Sequence, residues 1–157
     1  MILGIDPGLS GGFALVGATG TLYQAYPTPV TKKGELDLRE IVSRLADQNI
    51  SHAYVEFVTS RPRQAGQFQF GINTGAIHGI LAALDIPMTL VTSAKWKSQY
   101  GIKRQHDETY AEKKTEARQI AMQRFPEHAH LFKRVKDDGP AEAALIALYG
   151  LSLYINN

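Results

Sequence analysis

The chain has 157 residues, no cysteine and a formal net charge of +2. That length suits one domain with a single core, a sheet covered by helices on two faces. The absence of thiols excludes disulfides, zinc–thiolate sites and cysteine nucleophiles, and leaves oxygen and imidazole as metal donors. No apolar run approaches the roughly 20 residues that span a bilayer, and no basic leader precedes the first strand, so a cytoplasmic protein with no membrane association is expected. The cations come in clusters: Arg61 and Arg63, Lys95 and Lys97, Lys103 and Arg104, Lys113 and Lys114, and Lys133, Arg134 and Lys136. One such run is ordinarily a solvated face; several in the same part of the chain point to a polyanion.

Met1, Ile2, Leu3 and Ile5 predict a strand buried on both faces, and it ends in Asp6. Because Asp-Pro-Gly follows, Asp6 reads as a turn cap, as a ligand or catalytic acid, or, with the glycines after it, as part of a phosphate cradle. Phe13 to Val16 and Thr21 to Tyr26 predict two further strands of a meander turned by "GATG". Leu38, Ile41, Val42, Leu45 and Ala46 share one face of a first helix. His52 to Val58 predicts a strand carrying a lone carboxylate, Glu56, and leads into the loop "TSRPRQAG". Then come a helix in "QFQFGINTGAIHGILAALD", a strand in "MTLVT", the helix-like "SAKWKSQYG", a helix from Glu108 to Arg124, a basic loop "EHAHLFKRVK" and a last apolar helix "PAEAALIALYGLSLY". Three strands, then helix, strand, helix, strand and helices, is the order of the ribonuclease H architecture. The expected fold is therefore α/β, a mixed five-stranded sheet flanked by helices, in one domain spanning residues 1–157.

The last helix opens in "VKDDGPAEAALIA", where Pro140 suits the first turn and Gly139 or Asp138 its cap. Glu142 could reach back to that cap, and acids are favoured at a helix start in any case. Asp138 and Glu142, however, lie one turn apart and project toward one end, as two ligands from one element would. Taken with Asp6 and Glu56, three separate elements then contribute acids to one cluster. Close carboxylates raise each other's pKa unless a cation neutralises them, so four convergent acids imply hard divalent cations, with Mg²⁺ the natural occupant. Two such ions about 3.5–4 Å apart can activate a water and stabilise the leaving oxygen of a phosphodiester.

These residues resemble the RuvC-like Holliday junction resolvases of the ribonuclease H-like superfamily, in particular the short versions of phages and prophages. "ILGIDPGLSGGFAL" resembles the opening motif of that family, "YVEFV" its second, and "GINTGAIHGILAAL", "VTSAKWKSQYGI" and "DDGPAEAALIALYG" their family counterparts. The resemblance runs nearly end to end. It implies Asp6, Glu56, Asp138 and Glu142 as metal-binding catalytic acids, with Asp137 an alternate third ligand because Asp138 and Glu142 are four apart where RuvC has three. It also implies two Mg²⁺ per site, with Mn²⁺ able to substitute. A homodimer making paired nicks in branched DNA is implied as well.

Arg61, Arg63, Lys95, Lys97, Lys103, Arg104, Lys133, Arg134 and Lys136 are candidate phosphate contacts, and Lys136 could assist the water. Phe68 is a candidate for stacking on an unpaired base, while Trp96 either packs in the core under the sheet edge, the favoured reading, or contacts the sugar-phosphate chain. Gly71, Gly75 and Gly79 line one helix face, which either packs on its own sheet or meets a second copy. Two rivals remain. A catalytically silent nucleic-acid-binding scaffold of the same fold would share every feature but cleavage. An actin-like ATPase would use "DPGLSGG" for phosphates, but such enzymes close two domains around the nucleotide.

Overall fold

The computed structural model describes residues 1–58, 66–102 and 110–156. The central strand is β1 (Ile2–Asp6), paired antiparallel with β2 (Gly12–Val16), which pairs antiparallel with β3 (Leu22–Pro27). Helix α1 (Leu38–Ala46) leads to β4 (His52–Phe57), parallel to β1; α2 (Gln67–Ala83) leads to β5 (Met88–Thr92), parallel to β4. The five strands form one sheet in the order β3-β2-β1-β4-β5. The chain continues through α3 (Ser93–Gln99), α4 (Tyr110–Arg124), two 3₁₀ turns and α5 (Asp138–Ile155). This is the mixed sheet with flanking helices that the order of elements predicts.

Strand alternation divides the core in two. Leu3, Ile5, Phe13, Leu15, Ala53 and Val55 point to the side of α1 and α2, where they meet Ile41, Leu45, Ile77 and Leu81. Ile2, Ala14, Val16, Tyr54 and Val91 point to the side of α5. Period-two alternation with apolar residues on both faces is the signature of a strand covered twice. Helix α5 is buried along nearly all of its first fourteen residues, because the sheet covers one side and α4 packs on another.

Three glycines decide how close α5 comes. A Cβ on Gly4 would run into the Ala143 carbonyl and the Ala147 amide, one on Gly12 into Pro140 and Gly139, and one on Gly139 into the backbone of Gly11. Backbone thus rests on backbone where β1 and β2 meet the start of α5.

Several expectations change. The capping arrangement proposed for Glu142 is absent: α5 begins at Asp138, with Asp137 as cap residue, and the reach-back bond is made one turn earlier, where the Arg134 backbone N–H donates to the Asp137 carboxylate. The "EHAHLFKRVK" loop is built from 3₁₀ turns at Pro126–Phe132 and Val135–Asp137, with Phe132 driven into the core. Gly71, Gly75 and Gly79 do not pack on the sheet. That contact belongs to Asn73, Ile77, Ile80 and Leu81, and the glycines face outward with nothing within 4 Å of a Cβ. The expected start of α4 at Glu108 and most of "TSRPRQAG" lie outside the described residues.

Because neither backbone can yield at Gly4, Gly4→Val is expected to cost about 3 kcal/mol or more of folding stability. Urea unfolding followed by circular dichroism measures the loss.

Candidate active site

Parallel register places the first two acids. Ile5 pairs with Val55, so Asp6 and Glu56 leave adjacent strands at the same level, at their C-terminal ends. Each is two residues beyond a position facing α5, Gly4 and Tyr54, so both turn toward that helix. From its start against Gly11 and Gly12, α5 brings Glu142 above them. Strand β1 is also where the chain order switches sides of the sheet, the usual crevice for ligands in open α/β sheets. A cleft of about 1010 Å³ opens there, running from Asp6 and Glu56 past Gly8 and along α2 to Asn73, Gly75 and His78.

The fourth contributor is α3. Strand β5 runs beside β4, with Thr92 paired to Phe57, and passes straight into the helix, so α3 begins next to Glu56. The Trp96 indole Nε1–H donates to Glu56 Oε1 at 3.2 Å, and Lys97 Nζ donates to Glu142 Oε1 at 2.9 Å. The Lys97 ammonium also sits 4.9 Å from the centroid of the Trp96 ring. Adjacent residues of one short helix thereby hold two acids from two other elements.

The electrostatics follow from burial. Asp6 is pushed up to about 7 by desolvation first and by Glu142 and Glu56 second; the Gly8 amide, 3.5 Å from Oδ1, and Lys97 only partly oppose this. Glu142 is raised mainly by burial and by Glu56, against the pull of Lys97. For Lys97, burial opposes the charge, but Glu142, Glu56 and Asp6 more than offset it and hold the ammonium above its usual range. Three carboxylates thus share one ammonium, and all the acid donors are oxygens. That donor chemistry fits a hard divalent cation. Among the described residues no three carboxylate or imidazole groups already stand at coordination distance.

Asp138, the first residue of α5, is buried and adds its charge to the field at Glu142. Asp137 turns elsewhere. Arg134 donates to it through Nε at 3.1 Å, Nη2 at 2.8 Å and its backbone N–H at 2.8 Å; although burial works against the charge, these bonds hold the carboxyl below its ordinary range. Of the basic candidates, Lys95, Lys133, Arg134 and Lys136 are exposed, whereas Lys97 points into the acid cluster. Arg61, Arg63, Lys103 and Arg104 lie outside the described residues. Phe68 is 83% exposed at the start of α2, and Trp96 is fully buried.

The backbone around this site has solved counterparts. It is similar to Thermus thermophilus RuvC in complex with a Holliday junction substrate, with a TM-score of 0.63, 15% identity, and coverage of 98% of this chain and 95% of that one. The fold is RuvC-like. A second Thermus thermophilus RuvC structure is similar at a TM-score of 0.58 and 16% identity, over 99% of this chain and 96% of the other. No protein-family model and no curated protein matches the sequence. A RuvC-like backbone at this identity preserves the path of the chain while most side chains differ, so the chemistry has to be read from the acids themselves. Among the described residues no helix is long and apolar enough to cross a membrane.

Sequence reasoning missed Trp96 and Lys97 as members of the site. The available signal was positional: a helix that starts without a loop after a strand parallel to β4 must begin beside Glu56.

The raised Asp6 carboxyl gives a signed prediction. Its contribution to stability is fully present below about 3.8, the unfolded value, and is lost as pH rises through about 7. In chelator, Asp6→Asn should therefore match wild type near pH 4 and exceed it at pH 8, by on the order of a few kcal/mol. Urea titrations at the two pH values check this.

Proposed function

We propose that this chain is a structure-selective endodeoxyribonuclease that cleaves Holliday junctions or related branched DNA by phosphodiester hydrolysis dependent on two Mg²⁺ ions. The observation that carries the reading is the meeting of Asp6, Glu56 and Glu142, with Asp138 near Glu142, at the C-terminal edge of a RuvC-like sheet. Divalent ions held by these acids would supply an activated water and neutralise charge on the leaving oxygen. Asp6, which feels the charge of both Glu142 and Glu56, is the shared ligand; Glu56 and Asp138 each complete one position, and Glu142 orients the second. The exposed Lys95, Lys133 and Lys136 supply positive charge for the DNA backbone, while Arg134 is paired with Asp137. Phe68 projects where an unpaired base could stack on it. One of the similar RuvC structures is a complex with a Holliday junction substrate, which matches this choice of DNA.

A four-way junction has two strands to cut, so the reading calls for two copies. The surface that suits them is apolar. Helix α2 leaves the β5 edge uncovered, with Met88 exposed, and α2 itself exposes Ile72. Contact there would be isologous and would set two clefts at a fixed spacing.

Loss of a metal ligand removes several kcal/mol of transition-state stabilisation, so Asp6→Asn should slow junction cleavage by at least about a thousandfold while junction binding persists. Incubation of wild type and variant with Mg²⁺ and a four-way junction, a flap and a linear duplex measures this. Near wild-type cleavage by the variant would overturn the reading, and binding without cleavage by wild type would favour the scaffold. Met88→Lys should give a monomer by light scattering and convert paired nicks in a cruciform plasmid to single ones.

A further inference from the structure

We propose that Trp96 is a positioning residue that sets Glu56 for cation binding. The proposal rests on the nuclease reading only in taking Glu56 as a metal ligand. An indole N–H is a donor with no acceptor capacity, and a buried one has to find an oxygen. Here the ring is fully buried and the oxygen is Glu56 Oε1, at 3.2 Å. Glu56 itself is 6% exposed, and among the described residues this is the only hydrogen bond of its carboxylate. One carboxylate oxygen is therefore held and the other left as the donor.

The indole cannot easily follow a moving carboxylate. Tyr100 meets its ring edge-on, 6.5 Å between centroids at 60°, and Tyr100 is itself anchored to α5 by its hydroxyl, which donates to the Leu145 carbonyl at 2.9 Å. A run of contacts from α5 through Tyr100 and Trp96 thus ends on Glu56, tying the strand acid to the helix that carries Asp138 and Glu142. A glutamate with three rotatable bonds would otherwise lose that freedom when the cation arrives. Hydrogen bonds that orient ligands in this way change metal affinity by about 10–100-fold when removed.

Trp96 is the only tryptophan in the chain, so a ¹⁵N-labelled sample gives one indole N–H resonance, which needs no assignment. In the wild-type protein without DNA, that resonance is expected to shift saturably with Mg²⁺; in Glu56→Ala it should start elsewhere and stay fixed. Trp96→Phe, which keeps a ring and removes the N–H, is expected to bind Mg²⁺ about tenfold or more weakly by calorimetry, and excess Mg²⁺ should restore its junction cleavage. An indole resonance unmoved while wild type takes up Mg²⁺ overturns the assignment. So does a folded Trp96→Phe with wild-type affinity. If that variant does not fold, the wild-type and Glu56→Ala resonances decide the matter alone. Wild type that takes up no Mg²⁺ defeats the nuclease reading itself, which separates the two failures.

Discussion

The contact of α5 with the sheet, backbone to backbone at Gly4, Gly12 and Gly139, is the constraint on which the rest depends. Ordinary packing of a helix on a sheet leaves room for a layer of side chains. Here that layer is missing at one end, so the first turn and a half of α5 drops to the level of the strand termini. Glu142 reaches Asp6 and Glu56 only because of this. The alanines of α5, Ala141, Ala143, Ala144 and Ala147, serve the same end along the next turns, since each is buried without pushing the helix away.

Such closeness works against the fold electrostatically. Buried carboxylates repel, and no other part of the domain asks for three of them in one place. The chain compensates with Lys97, a single ammonium delivered by α3 and bonded to Glu142, and with the Trp96 N–H on Glu56. Lys97 offsets the charge of Asp6 only in part, and burial together with the repulsion of Glu142 and Glu56 raises that carboxyl to about 7. A cluster of this kind costs folding stability, as perturbed acids gathered in a cleft commonly do at functional sites.

Much of this was legible in the sequence, because strands report their own burial. Asp6 and Glu56 stand out as lone charges at the ends of apolar runs, and two such strands side by side in parallel have to bring their last residues together. The element order gave the sheet. Tertiary contacts were less visible. Trp96 reads as a core aromatic and Lys97 as a surface cation, and nothing local reveals that the two share a helix turned toward the acids. The glycines of α2 left two readings open for a related reason. Spacing identifies a common face, but only the positions of Asn73, Ile77 and Leu81 tell which face meets the sheet. Asp137 and Asp138 are adjacent and chemically alike, and they part only because Arg134 folds back on the first.

The parallel pairing of β1 with β4 and the descent of α5 onto β1 also set an order of assembly during synthesis. Asp6 belongs to the first strand to emerge and Glu142 to the last helix, so a growing chain carries half of its acids long before it can gather them. The sheet can begin to form from its early strands, as domains do on the ribosome. The cluster is completed only after α5 has emerged, and with it the local negative charge that would call for a counter-ion.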